Sequence, residues 1–278
     1  MAGKLSNSFA LVKASAGVLK ADKELLLFPA LSAVSMILIA ATFIAPAWAF
    51  GWLAEGEPQG ALGYVFLFAF YLVQTSVAFF FNAALVGAAL KRLEGGDPTV
   101  ADGLNIAIAR LPQILAYAAI AATVGMVLRM LSERLGFLGR IAVGFIGMAW
   151  NLVTFLVVPV LVTQEVGPGD AIKESAALFK KTWGEQVVGN FGLGLAFALM
   201  FGSLTLFFVL LMVVAGTVVP VAILPMVVLF VAGVLFLSLV ASAMSGIYSA
   251  ALYRFATTGE TWGDFDEDML GSAFKPKR

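Results

Sequence analysis

The stretch VAILPMVVLFVAGVLFLSLVASAMSGIYSAALYRF, from Val221 to Phe255, carries a single charge, Arg254, at its far end. At about 1.5 Å of rise per residue, a helix of this length exceeds the roughly 30 Å hydrocarbon core of a bilayer. No water-soluble core asks for such a run. Five further apolar runs precede it: Leu25–Trp52, Ala61–Leu90, Pro112–Leu131, Ile141–Thr163 and Val187–Val214. The reading is an all-α polytopic membrane protein with six transmembrane helices. Between the last two runs, Thr217 to Pro225 holds two prolines and no charge. Proline disfavours a continuing helix, so a short turn is expected there.

Composition agrees. The chain is 61% hydrophobic and 12% charged, where a soluble domain is closer to half apolar and a quarter charged. It has no cysteine and no histidine. That removes disulfides, thiolate nucleophiles and the usual zinc and copper sites, and with them the side chain that titrates most readily near neutral pH. No cofactor is expected. The net charge is zero, so nothing points to nucleic acid.

All but three of the 17 lysines and arginines fall in the N-terminal segment, the second and fourth connections and the C-terminal segment. The exceptions, Arg129, Arg134 and Arg140, share the third connection. The positive-inside rule then places both termini in the cytoplasm. Ala47-Trp48-Ala49 has the small-residue pattern of a cleavage site, but the apolar region before it is too long for a signal core of roughly 7–15 residues.

A short polar phrase recurs. SFALVKASAG (Ser8–Gly17) and SAALFKKTWG (Ser175–Gly184) agree at Ser8/Ser175, Ala10/Ala177, Leu11/Leu178, Lys13/Lys180 and Gly17/Gly184. A weaker copy, NIAIARLPQI, runs from Asn105 to Ile114, with Arg110 at the lysine position. Each copy precedes an odd-numbered run. The expected unit is a helical hairpin preceded by a short cytoplasmic amphipathic helix, used three times (1–96, 97–166 and 167–258), with an acidic tail at 259–278. In the third copy Ile172, Ala176, Phe179 and Trp183 form an apolar stripe at helical spacing, with Lys173, Lys180 and Lys181 largely off it. Such a helix lies in the interface with its lysines toward water or anionic head groups. Asp97-Pro98 and Pro168 followed by Asp170 are the expected helix starts.

Four segments carry a resemblance: DKELLLFP (Asp22–Pro29), FFNAALVGAALKRLEGGDPTV (Phe80–Val100), WNLVTFLVVPVLV (Trp150–Val162) and SAALFKKTWGEQVVGNFG (Ser175–Gly192). Together they resemble a bacterial family of six-span membrane proteins classed as a domain of unknown function. More distantly the layout is similar to the membrane domain attached to some glycerophosphodiester phosphodiesterases. The resemblance implies a fold and a membrane location and carries no catalytic or ligand residues.

No ionisable residue lies near the middle of any run, which argues against a proton-coupled pump. The neutral polar candidates at membrane depth are Gln74, Asn82, Asn151 and Asn190. They either line a pathway or make interhelical hydrogen bonds worth roughly 0.6–2 kcal/mol each. Ser238, Ser242, Ser245 and Ser249, with Gly246, form a small-residue face read as helix packing. Lys13, Arg110, Lys173, Lys180, Lys181 and Trp183 are the candidate interfacial contacts to lipid or a partner. Arg129, Arg134 and Arg140 are the candidate contacts to an outer anion or head group. No nucleophile–base pair, paired carboxylates or metal-ligand cluster appears at membrane depth. Two functions follow as expectations. The first is a non-catalytic scaffold or accessory protein that engages membrane lipids, or a cytoplasmic or membrane protein partner, through its interfacial helices and tail. The second is a channel or transporter for a small solute without proton coupling. An oligomer is also among the expected partners.

Overall fold

The computed structural model describes residues 2–52, 60–183, 192–218, 223–260 and Phe265. Among them there is helix and no strand. The helices are α1 (Ala2–Ala21), α2 (Leu27–Ala49), α3 (Gly60–Leu93), α4 (Val100–Ala109), α5 (Leu111–Arg134), α6 (Phe137–Val153), α7 (Val157–Thr163), α8 (Pro168–Trp183), α9 (Gly192–Val218) and α10 (Ile223–Thr258). A 3-10 turn, Lys23–Leu26, leads into α2. Five segments are long and apolar enough to cross a membrane: Lys23–Ala49, Gly60–Leu93, Leu111–Arg134, Phe137–Thr163 and Ile223–Thr258. Phe197–Val213 within α9 is a shorter apolar helix among the described residues. This is the architecture of a multi-pass membrane protein.

The long helix α3 is the centre of the bundle and touches α2, α4, α5, α7 and α10. Its second half explains why. Every residue from Ala83 to Leu90 is buried, and five of these eight are alanine or glycine. Without a hydrophobic drive between helices in lipid, close backbone approach through small residues supplies the packing. At the α3–α4 crossing, a Cβ on Gly87 would stand 2.8 Å from the Ile106 side chain. The matching half of α10, Ala243 to Tyr253, is buried except at Ser245. Leu156 to Val162, Leu25, Phe28, Ala14 and Val18 complete one apolar cluster with these segments. Phe265, from the tail, is 2% exposed and belongs to it.

This packed region is the end of the bundle that carries Lys91, Arg92, Arg110 and Arg254, here termed the basic end. Toward the other end the helices expose large apolar side chains, among them Leu62, Val65, Phe145, Leu224, Leu229 and Phe236. In a bilayer those surfaces face acyl chains. Aromatic contacts still join neighbours there. The Phe43 ring lies 5.2 Å from Phe66 and 5.3 Å from Phe70, joining α2 to α3, and Phe208 lies 5.3 Å from Phe230, joining α9 to α10.

Three expectations are corrected. The run Ile141–Thr163 is two helices, α6 and α7, with a break at Thr154–Leu156. Arg129 and Arg134 stand in α5, not in a connection, because no breaker precedes Leu135-Gly136 and the Arg129–Glu133 pair at i,i+4 supports the helix. The cap of α4 is Thr99, not Asp97. The Thr99 hydroxyl accepts from the Asp102 N–H and the Asp102 carboxylate accepts from the Thr99 N–H, a reciprocal capping box. Of the turn expected at Thr217 to Pro225, residues 219–222 lie outside the described residues, while Thr217 and Val218 end α9 and Ile223 to Pro225 begin α10.

Candidate functional site

A cavity of about 460 Å³ opens in the half of the bundle nearer the basic end. Three helices and the break build it. α2 contributes Ser32 and Met36, one turn apart; α3 contributes Ala78, Phe79 and Asn82; α10 contributes Ser242, Ser245, Gly246 and Ser249, and Phe155 comes from the break. The α10 residues fall three and four apart and so share one face. Gly246 fixes how close α10 comes to α3, since a Cβ there would overlap the Leu85 side chain and lie 3.6 Å from Asn82 Oδ1. The glycine makes the contact, and the serines on either side of it are left facing the cavity.

The polar groups here are largely unspent. Ser249 Oγ donates to the Gly246 carbonyl at 2.9 Å, and the Ser32 hydroxyl lies 3.8 Å from Met36 Sδ. Among the described residues, the Asn82 amide and the Ser242 and Ser245 hydroxyls have no protein partner. An amide and hydroxyls supply both donors and acceptors, and no charged side chain stands in the lining. Asn82 is half-buried and Ser242 and Ser245 are exposed, so these groups stand open to water or a ligand. The arrangement suits an uncharged hydrogen-bonding group. Among the described residues no cluster of His, Cys, Asp or Glu is able to hold a metal ion.

The break arises from Pro159. Its ring clashes with the carbonyl four residues earlier, that of Phe155, and it has no N–H to donate. Around it the chain tightens: Phe155 N donates to Leu152 O at 3.3 Å and Val157 N to Thr154 O at 3.1 Å. The Val153 carbonyl and the Leu156 N–H are then served from outside. Ser175 of α8 does both, its Oγ donating to Val153 O at 2.6 Å and accepting from Leu156 N at 3.1 Å.

The four neutral polar candidates do not converge. Asn82 lines the cavity. Gln74 donates from Nε2 to the Met36 carbonyl at 3.0 Å and so ties α3 to α2. Asn151 is exposed on α6, and Asn190 lies outside the described residues. Lys13, Lys173 and Lys180 are exposed; Lys173 pairs with Asp170 at 3.0 Å. Arg110 is half-buried and bonds Glu165 at 3.1 Å. The side chains of Lys181 and Trp183 lie outside the described residues. Arg129 is spent on Glu133 at 2.7 Å and on the Tyr71 hydroxyl at 2.6 Å, whereas Arg134 and Arg140 are exposed. The stripe read on α8 is also turned. Ala171, Ser175, Leu178 and Phe179 are buried, and Ile172 and Ala176 only half so. A polar residue midway between Ala171 and Leu178 on one face was the signal for Ser175, and the hydropathy reading passed over it.

At the basic end two carboxyls are perturbed. Burial pushes the Asp22 carboxyl above the usual range, against the Glu24 N–H and Arg92, which act the other way. The Thr99 N–H, the Lys91 ammonium at 2.9 Å and the Thr99 hydroxyl hold Asp102 down at about 2.

The sequence model of a family described only as being of unknown function, DUF6159, matches residues 61–263. The chain belongs to DUF6159. The match takes in α3 to α10, and with them the break, Ser175 and the α3 and α10 walls of the cavity. The α2 wall of the DUF6159 chain, Ser32 and Met36, precedes it. Comparison with curated proteins and with solved structures gave no match.

Proposed function

We propose that the protein is a six-span, non-catalytic protein of a bacterial inner membrane that binds a small uncharged solute in the Asn82 cavity and passes it without proton coupling. The observation that carries this is the set of polar groups on Asn82, Ser242 and Ser245, gathered from two helices around one cavity with no charged side chain in its lining. The lack of charge in that lining fits a neutral cargo. The break beside it is irregular backbone at a cavity, the arrangement in which membrane proteins tolerate such backbone. In this reading α9 is the sixth span. The spans pair as three hairpins, α2 with α3, α5 with α6–α7, and α9 with α10. Each hairpin follows a cytoplasmic interfacial helix, and both termini are cytoplasmic by the distribution of Lys and Arg.

The test is shrink–swell light scattering on proteoliposomes challenged with urea, glycerol and small sugars. Solute permeability above protein-free vesicles that Ser245→Phe abolishes supports transport. Permeability equal to protein-free vesicles removes it.

A second reading has its own observation. Lys13, Lys20, Lys173 and Lys180 are exposed on helices whose other sides are buried, which favours a scaffold that holds anionic lipid or an acidic partner at the basic end. Binding to anionic vesicles that survives loss of the cavity separates the two.

A further inference from the structure

We infer that Ser175 is a positioning residue through which α8 latches the break and thereby sets the Phe155 wall of the cavity. The inference rests on the reading that the cavity takes a ligand, and it adds how access to that ligand is controlled.

The geometry isolates one side chain. The two backbone groups that Ser175 serves, Val153 O and Leu156 N, bracket Phe155. Phe155 lines the cavity, and its ring centroid lies 6.1 Å from that of Tyr248 on α10. Ser175 is 0% exposed, so water does not stand in when the hydroxyl leaves. Its neighbours on the same face of α8, Ala171 and Leu178, are buried too, and Lys173 and Lys180 face outward. A displacement of α8 along its axis therefore breaks both bonds at once and leaves two bare backbone groups beside Phe155. Pro159 prevents α6 and α7 from closing the gap by becoming one helix. The break has two states, latched with Phe155 held against the cavity and unlatched with Phe155 free, and the outward face of α8 is the handle.

The chain has no cysteine, so a single introduced thiol reports alone. Ser249 lines the same cavity as Phe155 and is 6% exposed, so a thiol there is covered while the break is latched. The experiment measures the labelling rate of S249C by a small maleimide in the reconstituted protein, with Ser175 intact or replaced in S175A, and with R140C as a thiol far from the break. Losing two hydrogen bonds at a buried site raises the unlatched population about tenfold or more. The expected result is an S249C rate about tenfold higher with S175A and an unchanged R140C rate. F155A raises the S249C rate similarly, and S175A adds nothing on top of it. An S249C rate that S175A leaves unchanged overturns the latch while the cavity stands. Equal acceleration of R140C overturns it also, since loosening is then general. If S249C stays unlabelled even with F155A, the cavity reading itself fails and takes the latch with it. Hydrogen exchange of the unaltered protein needs no variant: the Leu156 amide is expected to be as protected as those inside α6, and fast exchange there overturns the proposal.

Discussion

Gly103 of α4 lies against the backbone of α3: a Cβ at 103 would stand 2.7 Å from the Ala84 carbonyl oxygen and 2.5 Å from the Phe28 ring. A backbone oxygen does not step aside as a long side chain does. Gly103→Ala is expected to lower stability by about 1–3 kcal/mol, the usual cost of overpacking a close contact. Unfolding in mixed micelles checks it, and an unchanged midpoint would mean that the two helices separate freely.

Ser175→Ala and Ser249→Ala remove the same hydroxyl from buried positions with unequal effect. The first strands two backbone groups, each costing about 1–3 kcal/mol. The second removes a donor that shares a carbonyl inside a regular helix, so its cost is about 0.5 kcal/mol or less. The ratio of the two losses in one denaturation assay is the readout.

Asn82→Leu is expected to hold or raise the thermal midpoint in detergent, because the amide has no partner in the protein and leucine suits the depth. The same change lowers solute permeability in proteoliposomes. A clear drop in stability would show that the amide is structural.

The pH response separates two carboxyls. Folding lowers the pKa of Asp102, from about 3.9 in an unfolded chain to about 2. Its contribution is thus complete above about pH 4 and disappears as pH falls toward 2. Asp102→Asn should melt earlier than the parent at pH 7, and the gap should close across that window. Folding raises the pKa of Asp22, so its stabilising share is lost as pH rises. Asp22→Asn should gain on the parent with increasing pH.

Apolar runs announced most of the fold, because a helix that crosses lipid must be apolar for its whole length. The helices Leu27–Ala49, Gly60–Leu93, Leu111–Arg134 and Ile223–Thr258 fall where their runs do. The α6–α7 break was hidden for the same reason: Thr154 to Pro159 is as apolar as its flanks, and Pro159 alone betrayed it. On α8 hydropathy favours Ile172 and Ala176 for the buried face, yet these are half-buried and Ser175 is buried, because its hydroxyl serves two backbone groups of the break. The spacing of the α10 serines predicts packing, and the glycine among them does pack. What was not legible is that Asn82 of α3 stands across from them, since that meeting depends on the crossing at Gly246 and Leu85.

The break also imposes an order on biosynthesis. Val153 and Leu156 leave the ribosome well before Ser175, so this membrane segment enters the bilayer with its two unserved backbone groups still waiting for α8. Until those later residues emerge, the half-made protein holds an unfinished site that water or a neighbouring chain must cover. Nascent chains cut short just before Ser175 should therefore be the ones that quality-control proteases in the membrane seize first.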